Sequence, residues 1–109
     1  MTHYFELYQI KDAENTDYTF RPWSPAVEKN FNLNDYKRVF RYDFPECFEP
    51  DVEDEVLCDF LFYKIGYDRE TGGTHYQYQG WSPSVSDVFC ISGNFYYCNN
   101  GSSWIKLEI

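Results

Sequence analysis

The sequence predicts an α+β domain: a mostly antiparallel sheet of about five strands with two helices on one face. Three observations carry that expectation. Val85 to Ile91 and Phe95 to Cys98 are apolar, β-favouring runs separated by Ser92-Gly93-Asn94, whose Gly and Asn tolerate the positive φ of a tight hairpin turn. Asp51 to Ile65 repeats apolar residues at three-and-four spacing behind an acidic start, which is the pattern of an amphipathic helix. Tyr36 to Phe44 and Trp104 to Ile109 alternate with the period of two expected of strands. The elements run β-α-β-α-β-β-β, and helices laid on an antiparallel sheet are the simplest packing of that order.

Taken in order, Tyr4 to Ile10 reads as the first strand, with a mixed pattern that suits cover on both faces. Lys11 to Tyr18 is polar and reads as a loop. Pro22 keeps the chain before it extended. Ser24-Pro25 then reads as an N-cap and first helical residue, opening a short helix that ends near Asn30. In the next strand Tyr36, Arg38, Phe40, Tyr42 and Phe44 share one side. Lys37, Val39, Arg41 and Asp43 share the other, giving a basic outer face. Asp51 is the expected cap of the long helix. Val52, Val56, Leu57, Phe60, Leu61 and Ile65 form its expected core stripe, and Gly66 its end. Tyr67 to Gly80 is polar, and Tyr76 and Tyr78 alternate within it as on an exposed edge strand or aromatic loop. Asn99-Asn100-Gly101 reads as the turn before the last strand.

A chain of 109 residues is sized for one domain with one core, here residues 1–109. Aromatic residues make up 22% of it, enough to fill a small core and still leave Tyr for protein contacts. The net charge is -9. That balance argues against direct binding to nucleic acid or to an anionic membrane, and favours a basic protein partner. The start lacks a basic segment followed by an apolar core, so no signal peptide is expected and the location expected is the cytoplasm. Cys47, Cys58, Cys90 and Cys98 contain no C-x-x-C pair and are expected as reduced thiols, with Cys90 and Cys98 able to face each other across the hairpin.

The densest charged feature is a run of eight carboxylates: Asp43, Glu46, Glu49, Asp51, Glu53, Asp54, Glu55 and Asp59. It reads either as a well-capped helix start with a solvated loop, or as an acidic docking face for a basic groove, in which rows of carboxylates can stand in for DNA phosphates. Tyr76 and Tyr78 join it as candidate partner-binding residues. The spacing is not that of a calcium loop, and no metal or cofactor is expected. Ser84, Ser86, Asp87 and His75 lie close in sequence, but no G-x-S-x-G elbow frames them, and the chain is not expected to be an enzyme. Ser86-Asp87 reads instead as a strand start whose side chains bond nearby backbone donors.

Ser84-Val85-Ser86-Asp87-Val88, followed by Gly93 and then Tyr96-Tyr97, resembles the YodL-like domains of bacterial mobile elements. The opening strand, the Asp12 to Phe20 stretch, Tyr36 to Phe44 and the acidic helix start follow in that family's order. The chain departs from the family after the return strand. Cys98-Asn99-Asn100-Gly101-Ser102 stands where the family often continues Asp-x-x-Gly-Phe. The resemblance implies a setting in plasmids, prophages and conjugative elements. Free-standing proteins of this size and acidity from such elements are similar to anti-CRISPR proteins, including inhibitors of Cas9-type nucleases, whose DNA channels are strongly basic. The expected function is therefore counter-defence, by binding a Cas9-type nuclease or its guide complex through an acidic, aromatic-rich surface. The alternative is a non-inhibitory interaction module of mobile-element proteins that binds near Tyr76 and Tyr78.

Overall fold

The structure is a computed structural model that describes residues 3–44, 52–70, 80–100 and 102–108. The fold is α+β, with a five-stranded antiparallel sheet and two α-helices packed on it. The elements are β1 (Tyr4–Ile10), α1 (Trp23–Glu28), β2 (Tyr36–Asp43), α2 (Asp54–Glu70), β3 (Val88–Ile91), β4 (Asn94–Asn100) and β5 (Ser103–Lys106), in the expected order. The strands lie side by side as β2-β1-β3-β4-β5, so the hairpin strand β3 is central. No helix among the described residues is long and apolar enough to cross a membrane.

Two clusters make the core. Phe5, Leu7, Phe89, Ile91, Tyr96, Cys98 and Trp104 meet Leu57, Cys58, Leu61 and Ile65 of α2. Phe89 is the hub of this cluster, with its ring 4.5 Å from Trp104 and 5.1 Å edge-on from Phe5 between centroids. Alternate residues of the same strands, Ile10, Val88 and Tyr97, build the second cluster with Tyr18, Ala26 and Tyr36. Trp23 of α1 and Phe31 close it, at 5.0 and 5.5 Å from the Tyr97 ring. Alternation puts every second strand residue on the other side of the sheet, which is why one strand feeds both clusters.

The hairpin forms as its residues demand. Ser92 and Gly93 both take positive φ, 48° and 94°, in a two-residue loop between the paired residues Ile91 and Asn94. Positive φ at both central positions marks a type I′ turn, whose twist matches the flanking strands. Strand β3 begins at Val88 rather than Val85, because residues 85–87 are spent on a turn in which Ser86 has φ 79°.

Three expectations need correction. Strict alternation in β2 fails, because Leu7 pairs with Phe40 and Tyr8 with Arg38, leaving Val39 as a bulge. Val39 and Phe40 are both buried. The extra residue shifts the phase, so Arg38 and Arg41 come to one side of the sheet instead of opposite sides. Helix α2 runs through Gly66 to Glu70, absorbing the start of the segment read as polar coil. In α1, Ser24 lies inside the helix and Pro22 holds the N-cap position without a side-chain bond. Its first N–H, that of Trp23, donates to Asn99 Oδ1 of β4 at 2.9 Å. The helix ends at Glu28, two residues before the expected Asn30, which takes φ 60° in the turn that follows while Phe31 N–H returns to the Ala26 carbonyl at 2.9 Å.

Gly93 is the position where the turn geometry is most exposed to test. An added Cβ would meet nothing nearer than the Tyr4 hydroxyl at 3.8 Å, so any loss comes from the backbone alone. Gly93→Ala is expected to cost about 1–2 kcal/mol in urea denaturation. An unchanged midpoint would rule out the left-handed turn.

Candidate functional site

The acidic run divides into groups with different tasks. Asp54 accepts from the Tyr96 hydroxyl at 2.7 Å and from Asn94 Nδ2 at 3.3 Å. Burial first, and then this bond to Asp54, push the Tyr96 hydroxyl well above its ordinary pKa. Asp59 accepts from the Trp104 indole N–H. These two carboxylates therefore fasten α2 to β4 and β5. Asp43 is exposed and paired with Arg41 Nη2 at 2.9 Å. Glu53 and Glu55 are exposed at the start of α2. Glu46, Glu49, Asp51, Tyr76 and Tyr78 lie outside the described residues.

The core stripe of α2 is rotated from the one expected. Leu57, Cys58, Leu61 and Ile65 face inward. Val52, Val56, Phe60 and Tyr63 face solvent and are 46, 52, 61 and 63% exposed. Spacings of four and three put Val56, Phe60 and Tyr63 on one outer face. Asp59, Phe60, Tyr63 and Lys64 line a shallow hollow there. Sequence periodicity missed this face because the helix carries two overlapping apolar stripes. Counting Cys58 as apolar would have favoured the inward one, since 57, 58, 61 and 65 complete a tighter three-and-four pattern.

The basic face of β2 is largely neutralised by its neighbours. Glu6 is buried, and its Oε2 takes Arg38 Nη1 at 2.9 Å and Arg41 Nη1 at 3.0 Å. The Tyr8 hydroxyl donates to its Oε1 at 3.0 Å. Burial alone would raise the pKa of Glu6, but the bonds from Arg38, Tyr8 and Arg41 together hold it below the usual carboxylate value. The Arg41 guanidinium also lies over the Tyr4 ring, 4.2 Å from its centroid.

Ser84 and Ser86 both bond the backbone. Ser86 Oγ accepts from Phe20 N–H at 2.9 Å, and the Ser84 hydroxyl donates to the Ser82 carbonyl at 2.8 Å. Asp87 is fully buried; its Oδ2 accepts from Gln9 Nε2 at 3.0 Å and from Ser84 N–H at 2.9 Å. His75 lies outside the described residues. Cys58, Cys90 and Cys98 are free and buried. Cys90 pairs across the hairpin with Phe95, so Cys90 and Cys98 do not face each other. Among the described residues, no group of three or more His, Cys, Asp or Glu could hold a metal ion.

The rotation of α2 gives an opposed pair of outcomes. Phe60→Ser should change stability by no more than about 0.5 kcal/mol. Leu61→Ala should cost about 2–5 kcal/mol. Equal losses in thermal or urea denaturation would mean that Phe60 is buried after all. Glu6→Gln should destabilise by about 1–3 kcal/mol at pH 7. A depressed folded pKa contributes stability above the ordinary carboxylate range and loses it as pH falls, so the deficit should shrink in acid. A deficit that grows as pH falls would contradict the Arg38–Glu6–Arg41 arrangement.

Compared with protein-family models, curated proteins and solved structures, the chain matches none.

Proposed function

We propose that this protein is a non-catalytic binding protein that seats the outer face of α2 on a basic surface of a protein partner. One observation carries the reading: Val56, Phe60 and Tyr63 are exposed together on a helix that opens with the exposed carboxylates Glu53 and Glu55. Clustered aromatic and aliphatic side chains supply the buried anchors of an interface, and charges around them steer the encounter and set its register. The net charge of -9 makes a nucleic acid or a second copy of the chain a poor occupant, and a basic protein a good one.

The setting comes from the YodL-like resemblance of Ser84 to Val88 and the return strand. We place the protein in counter-defence on a mobile element, with a Cas9-type nuclease or its guide complex as partner. A basic DNA channel of that kind offers the arginines and lysines that Glu53 and Glu55 would meet. Asp54 and Asp59 contribute indirectly, because they are bonded to Tyr96 and Trp104 and hold the helix in place.

The test is binding and target-DNA cleavage by a Cas9 complex, at low and at high salt, with and without the protein. Inhibition is expected, and should weaken as salt rises. Phe60→Ser should weaken binding about thirtyfold, equivalent to about 2 kcal/mol. Glu53→Lys with Glu55→Lys should slow association and flatten its salt dependence. Full inhibition by a folded variant carrying all three changes would remove α2 as the binding face. Undiminished cleavage at both salt concentrations would remove the nuclease as partner.

A further inference from the structure

The sheet ends at β5, which among the described residues pairs with β4 alone. The backbone at this edge has a defined parity. Leu107 N–H donates to the Phe95 carbonyl at 2.9 Å, so Leu107 and, two residues earlier, Ile105 turn their peptide groups toward β4. Cys98, opposite Trp104, bonds on its other side, to the Asp87 carbonyl at 2.8 Å and the Ser86 N–H at 2.9 Å. Trp104, Lys106 and Glu108 therefore point their N–H and carbonyl groups out of the sheet. A row of such groups is a template for one more strand.

The side chains of this edge are sorted by face. Ile105 and Leu107 belong to the cluster on the α1 side. With Trp23, Phe31, Lys106 and Glu108 they line a groove of about 380 Å³. Lys106 and Glu108 alternate with them and are exposed. Among the described residues neither forms an ion pair. A lysine on an edge strand ordinarily keeps other strands away. Here Glu108, two residues on and with the same parity, carries the opposite charge.

We propose that β5 is a self-pairing edge: two copies join antiparallel about Leu107, with Lys106 of each opposite Glu108 of the other. The two five-stranded sheets then continue across the contact. Parity allows outward residues to pair only with outward residues. Pairing about Lys106 would set lysine against lysine, and pairing about Ile105 would set Lys106 against Trp104. About Leu107, each Lys106–Glu108 pair exchanges its backbone bonds and joins opposite charges. The Leu107 side chains meet beside the two grooves on the α1 side. The contact is isologous, so it uses both edges at once and closes as a dimer. The net charge of -9 opposes self-association, and at the outer face of α2 a second copy would bring Glu53 and Glu55 against like charge. At the β5 edge Lys106 and Glu108 cancel locally, and physiological salt screens more distant exposed charges beyond about 8 Å.

Sedimentation of the intact protein at physiological salt, from about 1 to 200 µM, reads the association, and a short edge contact should give a dissociation constant on the order of 10–100 µM. Lys106→Glu and Glu108→Lys should each weaken it about tenfold or more, because each sets like charges in both symmetric pairs. Glu108→Lys makes the chain less acidic, so weakening there separates edge pairing from a general charge effect. Lys106→Glu combined with Glu108→Lys should restore the wild-type constant. An equimolar mixture of the two single variants should form heterodimers where each alone is monomeric. In hydrogen exchange the Lys106 and Glu108 amides should slow as concentration rises, and those of β2 should not. A wild type still monomeric at the highest concentration, single variants that associate as well as the wild type, a combined variant that fails to recover, a mixture that stays monomeric, or protection on β2 would overturn the proposal.

Discussion

The rotation of α2 about its own axis is set by two hydrogen bonds, and much of the molecule's character depends on it. Asp54 takes the Tyr96 hydroxyl and Asp59 takes the Trp104 indole N–H. Both donors sit on strands that also supply the core beneath the helix. With those two points fixed, Leu57, Cys58, Leu61 and Ile65 have to turn inward, and Val56, Phe60 and Tyr63 have to turn outward. A buried or half-buried donor left unpaired is costly, which makes this rotation preferable to one that hides the larger ring of Phe60. The helix thus keeps an apolar face in water as a consequence of how its acids are used.

Much of the architecture was legible in the residues. The limits of β1, the Ser92-Gly93 turn, the left-handed Asn30 after α1 and the order of all elements follow from local propensity and turn chemistry. The failures share one physical cause, which is that they depend on partners distant in sequence. The bulge at Val39 appears only when β2 is set against β1. The two stripes of α2 are nearly equal in apolar content, and residues 96 and 104 choose between them. The same holds for the candidate site. Its acids were visible as a run, but three of those described, Asp43, Asp54 and Asp59, are bonded within the fold, while Glu53 and Glu55 remain exposed at the start of α2.

Two buried carboxyls sit in opposite surroundings. Glu6 is held ionised by Arg38 and Arg41, so acid weakens it. Asp87 is buried without a paired cation among the described residues: burial raises its pKa, and the donors Gln9 and Ser84 oppose that rise. The difference lies in the β2 bulge, which delivers two guanidiniums to Glu6, and in the absence of any paired cation for Asp87 among the described residues.

The bond from Trp23 N–H to Asn99 has a consequence for the order in which the chain becomes structured. A six-residue helix cannot sustain itself in water, and α1 takes its cap from a residue 76 positions later. During synthesis, nothing that precedes β4 can complete α1. The aromatic cluster of Trp23, Phe31 and Tyr97 has the same dependence, since Tyr97 arrives on that strand. Trp23 and Phe31 thus leave the ribosome before the strand that covers them, and stay uncovered until β4 arrives.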